Sequence, residues 1–250
     1  MSNNKIQIGI SSPTYNEEEN IVTFINGILS LSDKFIINIC FVDDESKDNT
    51  VNLINQFKSK FNKLNIIHRK KEKTTQVYTA YHQGLKWLYE NTDTNIFAQI
   101  DSDNICDVDT ILRALTALAN DPNIHLVKLS KYSNNRKDER EFIRRLISRV
   151  YTNICRILFK KEITDYSTGI RFYNKSLTHR IIKNKKNFTS PIGLLDDLLW
   201  IIKNNFNILE IDFKINERKF GTSFFRFKLI FSLGLEFVYC ILINLFIKRN

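Results

Sequence analysis

The chain is poor in the residues that punctuate or staple a fold. Its 250 residues include seven glycines, three prolines and four cysteines. So few glycines and prolines exclude collagen-like repeats and long flexible linkers, and no internal repeat is visible. Cys40, Cys106, Cys155 and Cys240 are scattered, with no CxxC pair and no neighbouring histidine cluster, so a zinc site is not expected. Three of them lie in apolar stretches, the pattern of buried reduced thiols in a cytosolic setting. His68, His82, His125 and His179 are isolated and show no HExxH spacing. The absence of a GxSxG elbow and of a GxxxxGKS/T loop removes two large classes of hydrolase and phosphotransferase. The opening MSNNKIQIGI has no basic region leading into a long apolar core, so no signal peptide is expected.

What is present is a basic, well-hydrophobic chain. Thirty-seven Lys and Arg against 27 Asp and Glu give a formal charge of +10, which favours polyanionic partners such as phosphorylated substrates or an anionic membrane surface. No recognition module for nucleic acid accompanies the charge, so nucleic acid is not an expected partner. The length suits one sizeable α/β domain, or a domain with a short appendage. Over the first 130 residues, strand-like runs (KIQIGIS, FIINICFVD, LNIIH, NIFAQID, HLVKLS) alternate with helical patterns (EENIVTFINGIL, about Asn49 to Lys60, about Gln76 to Tyr89, DTILRALTALA). Strands that are apolar almost throughout, alternating with helices, predict a mostly parallel sheet covered on both faces.

Ligands bind outside the carboxyl ends of the strands in such sheets. Polar clusters fall at those ends: PTYNEEEN after the first strand, DDESKDNT after the second, DSDN after the fourth. Asp101 and Asp103, one residue apart, repel each other unless a cation lies between them. Oxygen ligands of this kind suit Mg²⁺ or Mn²⁺, which can bridge nucleotide phosphates. Asp48 and Asn49 read as helix caps, whereas Asp44 is placed to accept a hydrogen bond from a nucleotide base.

Beyond Ser130 the pattern changes. KYSNNRKDEREF is a charged loop or lid, and FIRRLISRVYTNICRILF is an amphipathic helix. GIRFYN is strand-like, LLDDLLWIIKN helical, and ILEIDFKIN a half-buried strand. From Leu229 to Ile247 the chain is apolar over a length of roughly 28 Å as helix. A stripe at Lys228, Ser232, Glu236, Cys240, Asn244 and Lys248 recurs every four residues. That helix can lie in a membrane interface, span a membrane or pack in an oligomer. Glu236 counts against a single lipid-exposed span, at a cost of up to about 3 kcal/mol.

PTYNEEENI, VDDESKDNT and the DSD triplet, in this order and spacing, resemble the nucleotide-binding half of family 2 glycosyltransferases of the GT-A fold. More narrowly, they resemble the dolichol-phosphate mannosyltransferase and polyprenyl-phosphate sugar transferase group. DYSTGIRFYNK, SPIGLL and INERKFGTSFF resemble later elements of that group. The resemblance implies a Rossmann-like nucleotide-sugar half over about residues 1–130 and an acceptor half over 131–223. A C-terminal apolar helix over 224–250 would be membrane-associated or oligomerising. It also implies that Pro13, Tyr15 and Glu17 line the nucleotide pocket, that Asp44 reads the base, and that Asp101 and Asp103 hold metal and diphosphate beside Asn104. Lys131, Arg144 or Arg145, Arg218 and Ser223 would surround the phosphates. The implied activity is inverting transfer from a nucleotide-diphosphate sugar to a membrane-linked acceptor such as polyprenyl phosphate, at the cytoplasmic face of a membrane.

Two departures stand out. Thr74 in RKKEKTTQV occupies a position where the group carries glycine. Asp196 and Asp197 in LLDDLLW resemble instead the paired acids of other family 2 enzymes, whose second acid is a catalytic base. A sugar hydroxyl must lose a proton as it attacks, and a lipid phosphate need not. The pair therefore leaves open a glycan hydroxyl acceptor with Asp196 or Asp197 as base, a purely structural pair near a helix N-terminus, or a domain that binds nucleotide sugars without turnover.

Overall fold

The computed structural model describes residues 5–70, 77–103, 106–132, 142–159, 163–184, 188–214 and 227–246. Four parallel strands form its first half: β1 (Gln7–Thr14), β2 (Ile36–Asp43), β3 (Leu64–His68) and β4 (Ile96–Gln99). The helices between them are α1 (Glu18–Leu29), α2 (Thr50–Lys58) and α3 (Val77–Asn91). α4 (Val108–Asn120) leads to β5 (Leu126–Ser130), and α5 (Phe142–Phe159) leads to β6 (Arg171–Asn174). Then follow α6 (Lys175–Lys183), α7 (Ile192–Lys203), β7 (Ile208–Asp212) and α8 (Phe227–Phe246). The seven strands join one sheet in the order β3-β2-β1-β4-β6-β5-β7, in which β6 runs antiparallel to both of its neighbours.

The apolar strand runs are buried on both sides because each face carries its own core. On one face Ile21, Phe24 and Ile25 of α1, Ile54 of α2 and Ile111 and Leu115 of α4 pack on Ile8, Ile10, Ile39 and Phe172. On the other, Leu85 and Leu88 of α3, Leu177 and Ile181 of α6 and Leu195 and Leu198 of α7 close over Val42, Phe97, Leu126 and Tyr173. Both layers are what continuous apolar strands require. The short helix α6 is additional to the helices that the sequence predicts. It begins directly at the end of β6, where Asn174 accepts a hydrogen bond from the Leu177 backbone N–H (2.8 Å) as its cap.

α8 lies where the apolar C-terminal run predicts a helix. Among the described residues, no helix is long and apolar enough to cross a membrane. Three residues of its polar stripe, Glu236, Cys240 and Asn244, face the domain. The Asn244 amide donates to Asp196 on α7 (2.7 Å), Cys240 is buried beside the same carboxylate, and Ser190 donates to Glu236. Glu236, Cys240 and Asn244 thus form a docking seam against α7 and the Ser190 turn before it. These three residues meet buried polar partners within the chain, as buried polar groups must.

Candidate active site

The parallel strands β1 to β4 bring the polar clusters to one sheet edge. The loops after β1 and β2 are locked together by side-chain caps. Ser46 and Thr50 accept from the backbone N–H groups of Asn16 (3.0 Å) and Glu17 (2.8 Å), and Asn16 accepts from that of Lys47 (2.8 Å). Asp48 receives the N–H of Glu18 at the start of α1 (3.1 Å) and that of Thr50 at the start of α2 (3.0 Å), so one carboxylate caps two helices. Asn16 (φ 54°) and Glu45 (φ 64°) hold left-handed backbone here. For Glu45 that conformation costs roughly 1–2 kcal/mol, a strain concentrated where the loops turn toward the site.

The acids of the second cluster divide the work. Asp43 is buried and accepts from Thr14 (3.2 Å) and from the Ser46 backbone (3.0 Å), so it holds the loop. Asp44 is half-buried, and its Oδ1 pairs with both Nε (2.7 Å) and Nη2 (2.6 Å) of the Arg69 guanidinium. Arg69, next after β3, also donates to Thr79 (2.9 Å) at the start of α3. It was not singled out in the sequence; a cation immediately past a strand end was the available signal.

The DSD triplet follows β4. Ser102 is buried and donates to the Pro13 carbonyl (2.9 Å), tying this turn to the end of β1, while Asp101 and Asp103 stay half-buried on either side. Asp101 accepts from the hydroxyl of Tyr81 on α3. Burial and the neighbouring Asp101 push the Tyr81 phenol well above its usual range, so it remains a hydrogen-bond donor. Asp107, the next acid, is the cap of α4, accepting from the Thr110 N–H (2.7 Å). Among the described residues no three His, Cys, Asp or Glu side chains converge as a complete metal cage. Two carboxylates at an open strand end nevertheless fit a Mg²⁺-type ion, which takes one or two protein carboxylates and completes its shell with substrate phosphate and water.

Lys131 sits at the end of β5, nearly buried. Its ammonium pairs with Asp165 (3.0 Å) and donates to Ser167 (3.0 Å) and Thr168 (2.7 Å). Burial alone would raise the Asp165 carboxyl, but Lys131 and Lys128 together hold it well below the usual carboxylate range. Behind it runs a polar row that the sequence did not reveal: in register across four strands stand Gln99, Arg171, Lys128 and Glu210. Arg171 and Lys128 are wholly buried, and desolvation lowers the Lys128 ammonium to about 8. Arg145 is half-buried on α5. Asn104, Arg218, Ser223 and Thr74, and the side chain of Arg144, lie outside the described residues.

The paired acids of α7 point to different partners. Asp196 is buried against Asn244 and Cys240 of α8. Asp197, 3% exposed, meets Nε2 of His82 at 2.7 Å. The Tyr78 ring stands edge-on to His82, with centroids 4.6 Å apart, and fits against the bare backbone of Gly193. His82 is isolated in the sequence; its partner is 115 residues away, and only the packing of α3 on α7 unites them.

Glycosyl transferase family 2 is the family whose sequence model matches this chain, over residues 10–182. The chain belongs to that family. The dolichol-phosphate mannosyltransferase of Pyrococcus furiosus is 27% identical over 231 residues, covering 91% of this chain and 61% of its own length. The chain therefore spans about three fifths of that relative. The UDP-N-acetylglucosamine–dolichyl-phosphate N-acetylglucosaminyltransferase of Methanococcus voltae is 27% identical over 217 residues, 81% of this chain and 82% of that protein. Among solved structures, glucosyl-3-phosphoglycerate synthase from Mycobacterium tuberculosis, in a complex with Mn²⁺, UDP and its product, superposes with a TM-score of 0.70. It covers 98% of this chain and 82% of its own at 14% identity, so the likeness is one of fold. The family 2 glycosyltransferase thus has the mostly parallel, helix-flanked GT-A-like sheet expected of it.

Proposed function

We propose that this glycosyltransferase moves a sugar, with inversion, from a nucleotide-diphosphate sugar to a polyprenyl phosphate at the cytoplasmic face of a membrane. The observation that carries the donor half is the meeting of three loops at one sheet edge, with Ser102 bonded to Pro13 and Thr14 to Asp43. Asp101 and Asp103 would hold a divalent cation, and Pro13, Tyr15 and Glu17 the nucleoside. Asp44, with Arg69 beside it, offers the base an acceptor and a donor. When bound, the ion neutralises the negative charge that grows on the leaving diphosphate. Lys131, Arg144 or Arg145, Arg218 and Ser223 would supply further phosphate contacts.

The acceptor reading rests on the two curated relatives, both of which are named for transfer to a dolichyl phosphate. The engagement of Asp196 by Asn244 supports it, since a buried carboxylate committed to an amide is poorly placed to take a proton from a sugar hydroxyl. The second reading, transfer to a glycan hydroxyl, is favoured by the Asp197–His82 pair, which has the composition of an acid–base dyad. Incubation with a panel of nucleotide sugars, Mg²⁺ or Mn²⁺, and polyprenyl phosphate separates them. Lipid-linked product supports the first reading. Its absence, with transfer to a free sugar hydroxyl that Asp197→Asn abolishes, establishes the second.

A further inference from the structure

Two helices of the chain turn large apolar side chains outward. On α5, the buried positions are Ser148, Thr152 and Cys155, and Ser148 bonds to Ser167 (2.7 Å) beneath it. Its apolar side chains Val150, Ile154 and Ile157 point to solvent, Ile157 being 75% exposed. α8 is divided: Glu236, Cys240, Ile241, Ile243 and Asn244 face the domain while Leu235, Leu242 and Phe246 face outward, Phe246 at 79% exposure. The helices are neighbours, with the rings of Tyr151 and Phe237 4.7 Å apart. Among the described residues, every large apolar side chain that is exposed, except Leu209, lies on these two helices. Scattered exposed apolar residues need no explanation, but a contiguous concentration of this kind marks a surface covered by something else.

Charge decides what covers it. Between Arg145 and Phe159, α5 carries Arg145, Arg149 and Arg156 and no acid. Between Ser232 and Phe246, the one acid of α8, Glu236, is turned inward to Ser190. A second copy seated on this face by a two-fold axis would set arginines against arginines with no outward carboxylate to meet them. An anionic lipid surface offers both the apolar phase and the complementary charge. We infer that α5 and α8 together form a docking face that lies in the headgroup region of an anionic membrane, without crossing it. Ser148 on its inner side bonds to Ser167, which in turn takes a hydrogen bond from Lys131, so the face backs directly onto the proposed acceptor half. The inference deepens the membrane-linked reading of the acceptor, and its test fails separately from that reading.

The test is vesicle flotation of the full chain, with phosphatidylcholine alone and with phosphatidylglycerol added. Binding should require the anionic lipid and weaken with salt. Ile157→Ser/Leu242→Ser/Phe246→Ser, all at exposed positions, should weaken partitioning roughly tenfold or more with an unchanged thermal melt. Arg149→Glu/Arg156→Glu should remove the preference for anionic vesicles. A wild-type chain that stays in the soluble fraction at every composition overturns the inference. So does a triple variant that floats as well as wild type, or a dimer that the triple variant dissociates without any vesicle binding. Transfer to detergent-dispersed polyprenyl phosphate should persist in the triple variant. Vesicle binding by a wild-type chain that makes no lipid-linked product would keep the docking face and remove the acceptor reading.

Discussion

Gly193→Ala places two opposing effects at one position. In the first turn of α7, alanine improves helix propensity over glycine by up to about 1 kcal/mol. Yet a Cβ at this position would lie 2.3 Å from both Cδ1 and Cε1 of Tyr78 and 2.6 Å from Cγ. Real Cβ atoms do not come that close, so the ring or α7 must move. Tyr78 is 1% exposed and braced edge-on by His82, which leaves the ring no cheap retreat. Overpacking of this kind costs typically 1–3 kcal/mol, so the clash outweighs the propensity gain. The expected net loss is about 1–2 kcal/mol, a fall in Tm of roughly 2–8 °C for a chain of this size. Thermal unfolding by circular dichroism measures it. In a Tyr78→Leu background the same substitution should cost at least about 1 kcal/mol less, since the two sites share one contact. A Gly193→Ala protein as stable as wild type, or more stable, would refute the packing argument. It would also undercut the placement of His82 against Asp197, which depends on the same ring.

Other expectations follow from the polar seams. Asn244→Ala removes the amide that satisfies the buried Asp196 and should destabilise by about 1–3 kcal/mol. Asp196→Leu/Asn244→Leu should recover most of that loss in urea unfolding, because neither partner is then left unpaired. Asp165 is held low by Lys131 and Lys128, so the unfolded chain binds its proton more readily than the folded one. Its stabilising effect is complete above the ordinary carboxylate range near 4 and is lost as pH falls through that range toward its depressed folded value. Acid titration of Asp165→Asn should therefore show a shallower loss of stability than wild type, from a lower plateau.

The first half of the fold was readable because each strand is a continuous apolar run, and each functional loop falls where such a run ends. Register adds no ambiguity there, since parallel strands buried on both faces need only be apolar. PTYN, VDDES and DSD therefore came to one edge as their positions required. The second half was less legible for two reasons. β6 runs antiparallel and carries Arg171 into the interior, in register with Gln99 and Lys128, a placement that local pattern disfavours. α5 and α8 carry amphipathic patterns whose period is clear, but period alone does not say which side faces the protein. The buried Ser148 and Thr152 show that α5 turns its polar side inward, while α8 buries Asn244 together with Ile241 and Ile243. Long-range pairs such as Asp44–Arg69 and His82–Asp197 leave no local signature at all.

The central claim is that Asp101 and Asp103 present the donor diphosphate to a divalent cation at the end of β4. It is tested most directly by donor turnover with and without Mg²⁺ or Mn²⁺, in wild type and in Asp103→Ala. The account expects wild-type turnover that chelation abolishes and metal restores. In Asp103→Ala, whose half-buried side chain can be lost without disturbing the core, activity should fall by at least about a hundredfold, more than 2.7 kcal/mol of transition-state stabilisation, with an unchanged thermal melt. Full metal-dependent activity in a folded Asp103→Ala protein would contradict it.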